Sequence, residues 1–84
     1  MNEEQFQLWM RRAETFQKIE TDYLKCEFWR GYQRGLRRLY HGERFGTPEE
    51  HSQFYNIPTD ETDLTRRARG EGYRAGFAGV EPNV

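Results

Sequence analysis

Thr21-Asp22-Tyr23, followed by Gly31-Tyr32-Gln33-Arg34-Gly35-Leu36, returns 41 positions later as Thr62-Asp63-Leu64 and Gly72-Tyr73-Arg74-Ala75-Gly76-Phe77. Thr, Asp, Gly, Tyr and the second Gly are identical in the two segments, and Lys25/Arg66 and Leu36/Phe77 are chemically alike. Threonine and aspartate are strong helix starters. Glycines four apart fall on one face of a helix and strip that face of side chains, so another backbone can come close. Each interior glycine costs roughly 0.5–1 kcal/mol relative to alanine; close packing of the two bare faces would offset that cost, and the alternative is that one glycine face is an exposed groove for a partner. The pattern predicts that the Gly31/Gly35 face of one helix meets the Gly72/Gly76 face of another in an approximately two-fold arrangement. Leucine at Gly35 or Gly76 is then expected to overpack the contact.

A chain of 84 residues makes one domain and buries only roughly 60–65% of its unfolded surface. Leu, Ile, Val and Phe number just 15, but 13 residues are aromatic and the net charge is −1. Each buried aromatic removes about 150–250 Å² from water, so a small aromatic core is enough to fold the chain. The expected organisation is a single helical domain over residues 1–79 and a loose tail over 80–84.

The reading along the chain is all-α: three long helices and one short one. Asn2 caps a first helix that ends near Ile19, with Phe6, Trp9, Met10, Ala13 and Phe16 on its apolar stripe and Leu8 off it. Thr21-Asp22 opens a second, with Leu24, Phe28, Tyr32, Gly35, Leu36 and Leu39 facing inward beside Trp29 and Tyr40, and Gly42 as its stop. Gly46-Thr47-Pro48-Glu49-Glu50 supplies a break, a cap and proline at the first helical position. The short third helix runs from about Pro48 to Tyr55, burying Phe54 and Tyr55, and Asn56-Ile57-Pro58 ends it. The fourth begins after Thr59 or Thr62, carries Asp60, Glu61 and Asp63 in its first turn, and continues through Leu64, Ala68, Tyr73 and Phe77 to Gly79. Neither period-two alternation nor a hairpin signal is present.

Candidate chemistry is sparse. His41, Glu43, Glu49, Glu50 and His51 lack the ligand spacing of a metal site. Cys26 lies mid-helix beside Phe28 and Trp29, where a free thiol behaves as a small hydrophobe. No glycine loop is placed to cradle a phosphate, and no nucleophile–base pair is recognisable. The reading is therefore a non-enzyme with no metal and no cofactor. One cysteine fits a reducing compartment. The Met-Asn-Glu-Glu start is not a secretory signal, and no apolar run approaches the roughly 20 residues of a membrane span. Cytoplasmic localisation without a membrane partner follows as the expectation.

The arginines are the best binding candidates. Arg30, Arg34, Arg37 and Arg38 recur at helical spacing with no acidic residue four positions away, and unpaired guanidiniums grip carboxylate or phosphate bidentately. Arg44, Arg66, Arg67 and Arg74 extend the set. These eight are the predicted partner-binding residues.

The stretch Arg69-Gly70-Glu71-Gly72-Tyr73-Arg74-Ala75-Gly76-Phe77-Ala78-Gly79 resembles the start of the ribosome modulation factor family. The first helix of that family carries a G-Y-x-A-G-x-x-G pattern, matched here by Gly72, Tyr73, Ala75, Gly76 and Gly79 and in part by Gly31, Tyr32 and Gly35. Trp29-Arg30-Gly31-Tyr32-Gln33 is similar to a later W-x-x-G-W-R element, here placed earlier in the chain. The resemblance implies a two-helix core and ribosomal-RNA binding that silences ribosomes. The chain departs from it in the order of elements, an extra first helix and a net charge of −1, where RNA binding calls for a basic surface. In type the chain also looks like the short helical proteins of phages and mobile elements that block a host protein, anti-CRISPR inhibitors among them. The favoured function is a helical binding or regulatory protein acting on a protein or ribonucleoprotein partner. The alternative is a ribosome- or RNA-binding regulator, and a homodimer is a further option for so small a core.

Overall fold

The computed structural model describes residues 1–83, and its helices are α1 (Glu3–Ile19), α2 (Tyr23–His41), α3 (Pro48–Tyr55) and α4 (Leu64–Phe77), with a single 3-10 turn at Gly42–Arg44. Each α-helix opens on a side-chain cap. Asn2 accepts from the Gln5 amide, Asp22 from Leu24 and Lys25, Thr47 from Glu50, and Asp63 from Thr65 and Arg66. The cap at Asp63 decides the start of α4. Asp60 and Glu61 therefore precede that helix instead of lying in its first turn, as the charge pattern had suggested. Gly42 stops α2 with φ of 65°, a left-handed conformation that glycine adopts without strain.

The helices form a row, α1 against α2, α2 against α4, and α4 against α3, in a slab of 36 × 31 × 16 Å. The centre of the row is the glycine contact. A Cβ on Gly31 would lie 2.1 Å from the Arg69 carbonyl oxygen, and one on Gly35 would lie 2.1 Å from that of Tyr73. Reciprocally, Gly72 faces the Phe28 carbonyl and Gly76 the Tyr32 carbonyl. Both sets advance together along the two chains, so α2 and α4 run parallel. Carbonyl oxygens seated over glycine Cα groups are the geometry of Cα–H···O contacts. No side chain larger than hydrogen fits at these four positions.

Phe6, Trp9, Met10 and Ala13 of α1 close over Trp29, Tyr32 and Leu36 of α2, with Phe16, Phe28, Tyr40 and Ala75 packed around them. Leu8 is exposed, as its place off the stripe requires. Two residues expected in the core are outside it: Leu39 is 38% exposed and Tyr55 46%. Leu64, at the open start of α4, is exposed as well. Ile57 takes the inward place instead. It is buried, and its side chain fills the space that a Cβ at Gly70 would occupy.

The two motif tyrosines are both buried and each pins a different covering element. The Tyr32 hydroxyl donates to the Val80 carbonyl at 2.6 Å, and the Tyr73 hydroxyl bonds His51 Nδ1 of α3 at 2.7 Å. Val80 also donates to the Ala75 carbonyl, Arg12 reaches Glu81 and the Pro82 carbonyl, and Pro82 is fully buried. Val80, Glu81 and Pro82 of the segment expected to be a loose tail thus contact the helices; Val84 lies outside the described residues.

Candidate functional site

α3 and the segment after it lie across one side of the α2–α4 pair, and the seam between them is a groove. One cavity of about 370 Å³ is lined by Arg30, Gly31, Arg34, Glu50, Phe54 and Arg69. It adjoins a second of about 400 Å³, which shares Phe54 and Arg69 and adds Gln53, Ile57, Asp63, Thr65 and Arg66. A third opening between Gln53 and Arg66 continues past Pro48, Glu49, Ser52 and Asn56. Parallel helices in register produce this seam: Arg30 and Arg34 from α2 and Arg69 from α4 line the first cavity, and Arg66 of α4 lines the next two openings.

The floor is an ion pair. Glu27 is fully buried, accepts from Arg69 Nε through one carboxylate oxygen, and accepts from Arg30 Nη1 through the other at 3.3 Å. Burial presses the Glu27 carboxyl upward, but the Arg69 hydrogen bond and the charges of Arg69 and Arg30 outweigh it and hold the carboxyl below its ordinary value. The same bond pushes the Arg69 guanidinium further up. A buried carboxylate is sustained only by such pairing.

Arg34 forms the wall. Its Nη2 donates to Glu50 at 2.9 Å, and its guanidinium lies 5.1 Å from the Phe54 ring and 5.7 Å from that of Phe45, within cation–π range of both. Its Nε is buried and has no acceptor among the described residues. Behind it, Arg38 is buried and donates to the Phe45 carbonyl at 2.9 Å. His51 packs among Tyr55, Tyr73 and Phe77; burial, then the Arg38 charge, hold its pKa below the ordinary value.

These contacts revise the expected arginine surface. Arg30 and Arg34 line the groove, but both have internal carboxylates, Glu27 three residues before Arg30 and Glu50 on α3. Arg38 is a structural strut and not a free charge, because its guanidinium ties the end of α2 to the chain after the 3-10 turn. Arg66 pairs with Glu61 at 2.8 Å while still lining the groove. Arg74 donates to the Ile57 carbonyl, and Arg67 pairs with Glu71 beside a separate apolar groove of Leu24, Phe28, Leu64 and Ala68. Arg37 and Arg44 have no partner among the described residues and lie apart from the groove. Arg69 was absent from the expected set, yet it connects both cavities. No local sequence signal marks its side chain, because the Glu27 carboxylate that it meets lies 42 residues away.

The other candidates are absorbed locally. The Cys26 thiol donates to the Glu20 carbonyl at 3.3 Å near the end of α1, and His41 packs edge-on against Phe6 and Tyr40. No group of His, Cys, Asp and Glu among the described residues is arranged to hold a metal ion, and no helix there is long and apolar enough to cross a membrane. No family model matches the chain, and comparison with curated proteins and with solved structures finds no match.

Proposed function

We propose that the chain is a non-enzymatic helical binding module that regulates a protein or ribonucleoprotein partner through the groove between α3 and the α2–α4 pair. The observation that supports this is the gathering of Arg30, Arg34 and Arg69 with the Phe54 ring around one open cavity, on elements held by glycine packing and helix caps. Binding sites use a small number of placed polar groups beside apolar surface, here the guanidiniums beside the Phe54 ring. Arginine and aromatic side chains are also the residues that dominate binding energy at protein interfaces. The histidines and the cysteine take part in packing and capping, and the separate apolar groove of Leu24, Phe28, Leu64 and Ala68 lacks such a gathering of guanidiniums. We further read α2 and α4 as two copies of one helical unit, a reading supported by the reciprocity of their glycine contacts.

Affinity capture from cell lysate with the parent chain, Arg30→Glu, and Arg37→Glu tests the assignment. The species captured by the parent is expected with Arg37→Glu and is lost with Arg30→Glu, while circular dichroism shows all three folded. Equal capture by all three removes the groove from the binding surface.

A further inference from the structure

We propose that this groove receives an acidic segment of a partner protein, with one side-chain carboxylate seated among Arg30, Arg34 and Arg69 and a neighbouring apolar or aromatic side chain over Phe54 and Ile57. The inference rests on the groove being the partner surface and adds the chemistry of what enters it.

Charge bookkeeping at the first cavity supplies the first argument. Three guanidiniums surround it, and two internal carboxylates answer them, Glu27 from below and Glu50 from the rim. One positive charge is left over, spread across groups whose planar donors match a carboxylate. Side chains of Arg30 and Arg69 are 57% and 45% exposed, so a ligand reaches them without displacing the floor.

The second argument is what lies beside that charge. The adjoining cavity offers Phe54, Ile57, Gln53 and Thr65, a mainly apolar and amide surface. Asp63 there is committed to the Thr65 and Arg66 amides, and Arg66 to Glu61. A single anion next to an apolar side chain is the complement of these two cavities in sequence.

A phosphate backbone is the poorer fit. Nucleic acid carries a charge at every nucleotide and gains affinity by neutralising several in a row. Here the next opening along the groove carries Glu49, with Glu50 and Asp63 bordering the other two. A polyanion leaving the cationic cavity along the groove meets Asp63 and then Glu49.

The test uses the full chain labelled with nitrogen-15 and three probes: a Gly/Ser-flanked Glu-Leu-Phe peptide, its Gln-Leu-Phe counterpart, and a single-stranded RNA oligonucleotide. The Glu peptide is expected to shift the Nε–H signals of Arg30 and Arg69 and the Gly31 amide, and to leave Arg37 and Leu8 unmoved. Loss of a charge-assisted pair makes the Gln peptide roughly tenfold weaker or more. Arg30→Gln weakens the Glu peptide similarly; Glu27 keeps Arg69 in that variant, so the floor persists. Equal binding of the Glu and Gln peptides, no shift with either, or RNA moving the same signals more strongly than the Glu peptide each overturns the proposal. If no acidic peptide binds while Arg30→Glu still abolishes partner capture, the binding function stands and its acidic specificity fails. If Arg30→Glu leaves capture intact, the groove assignment fails with it.

Discussion

Alanine at Gly35 or Gly76 is the smallest perturbation that tests the α2–α4 contact. The added Cβ would stand 2.1 Å from the Tyr73 carbonyl oxygen in one case and 2.1 Å from the Tyr32 carbonyl oxygen in the other. Each obstacle is helical backbone committed to its own hydrogen-bond ladder, so no rotamer change relieves it. To reach even a tight 3.0 Å contact the helices must separate by about 1 Å, which loosens a close-packed interface along its length. Overpacking of this kind costs about 1–3 kcal/mol, and a backbone obstacle belongs at the upper end. Against it stands the helix propensity of alanine, worth about 0.5–1 kcal/mol. The net expectation is a loss of about 2 kcal/mol, or a fall in Tm of roughly 8–16 °C for a domain this size.

Two comparisons sharpen the test. At Gly70 the added Cβ would meet the Ile57 side chain at 2.7 Å, outside the helix-to-helix backbone contact, so Gly70→Ala is expected to be the mildest of the three. In the double variant Gly35→Ala/Gly76→Ala, the separation forced by one methyl makes room for the other. The double loss is then smaller than the sum of the singles by about 0.5 kcal/mol or more. Thermal and urea unfolding followed by circular dichroism measure all four. Single variants as stable as the parent, or strictly additive losses, refute the backbone-to-backbone contact as the organising interaction.

Tyr32→Phe removes the hydroxyl that holds the Val80 carbonyl and is expected to cost about 1 kcal/mol. Hydrogen exchange should report faster opening at Val80 with α3 unaffected. His51 and Glu27 predict a two-stage acid response. A histidine whose folded pKa lies below its ordinary 6.5 contributes stability that is complete above that pH and declines as pH falls below it. A carboxylate held below its ordinary 4.5 contributes stability that declines only as pH falls below 4.5. Urea midpoints measured from pH 7.5 downward should show both declines. His51→Gln removes the upper one and Glu27→Gln the lower; a midpoint flat down to pH 5 in the parent contradicts the His51 assignment.

The helices and the glycine seam were legible because their signals are local. Caps at Asn2, Asp22, Thr47 and Asp63 act on amides two or three residues away, and a bare face at Gly31 and Gly35 has few uses other than close approach. The arginines were less legible for the opposite reason. Arg34 finds Glu50 16 residues away and Arg69 finds Glu27 42 residues away, distances at which no helical spacing rule operates. Ile57 ends α3 beside Pro58, as its sequence context predicts, but its burial over Gly70 depends on where the loop returns. Tyr55 and Leu39 carry apolar periodicity into positions that a row of helices leaves uncovered, since a flat slab has fewer inward faces than a closed bundle.

The groove owes its character to a departure from the two-fold pattern. A shift of 41 residues carries Phe28 onto Arg69 and Glu27 onto Ala68. Phe28 and Ala68 line an open apolar groove at the N-terminal halves of α2 and α4. Arg69 and Glu27, at the equivalent places, form the ion pair at the α3 groove, its carboxylate buried and its guanidinium half-exposed. The glycines and tyrosines that join the helices are the same in both segments, whereas the side chains flanking the seam are not. Under the proposed binding role, joining and recognition reside in different residues. Substitutions at exposed Arg30 should alter what the groove binds while leaving the helix pair intact, and substitutions at Gly35 or Gly76 should lose both together. That separation lets one pair of reciprocally packed glycine faces present two chemically distinct sides.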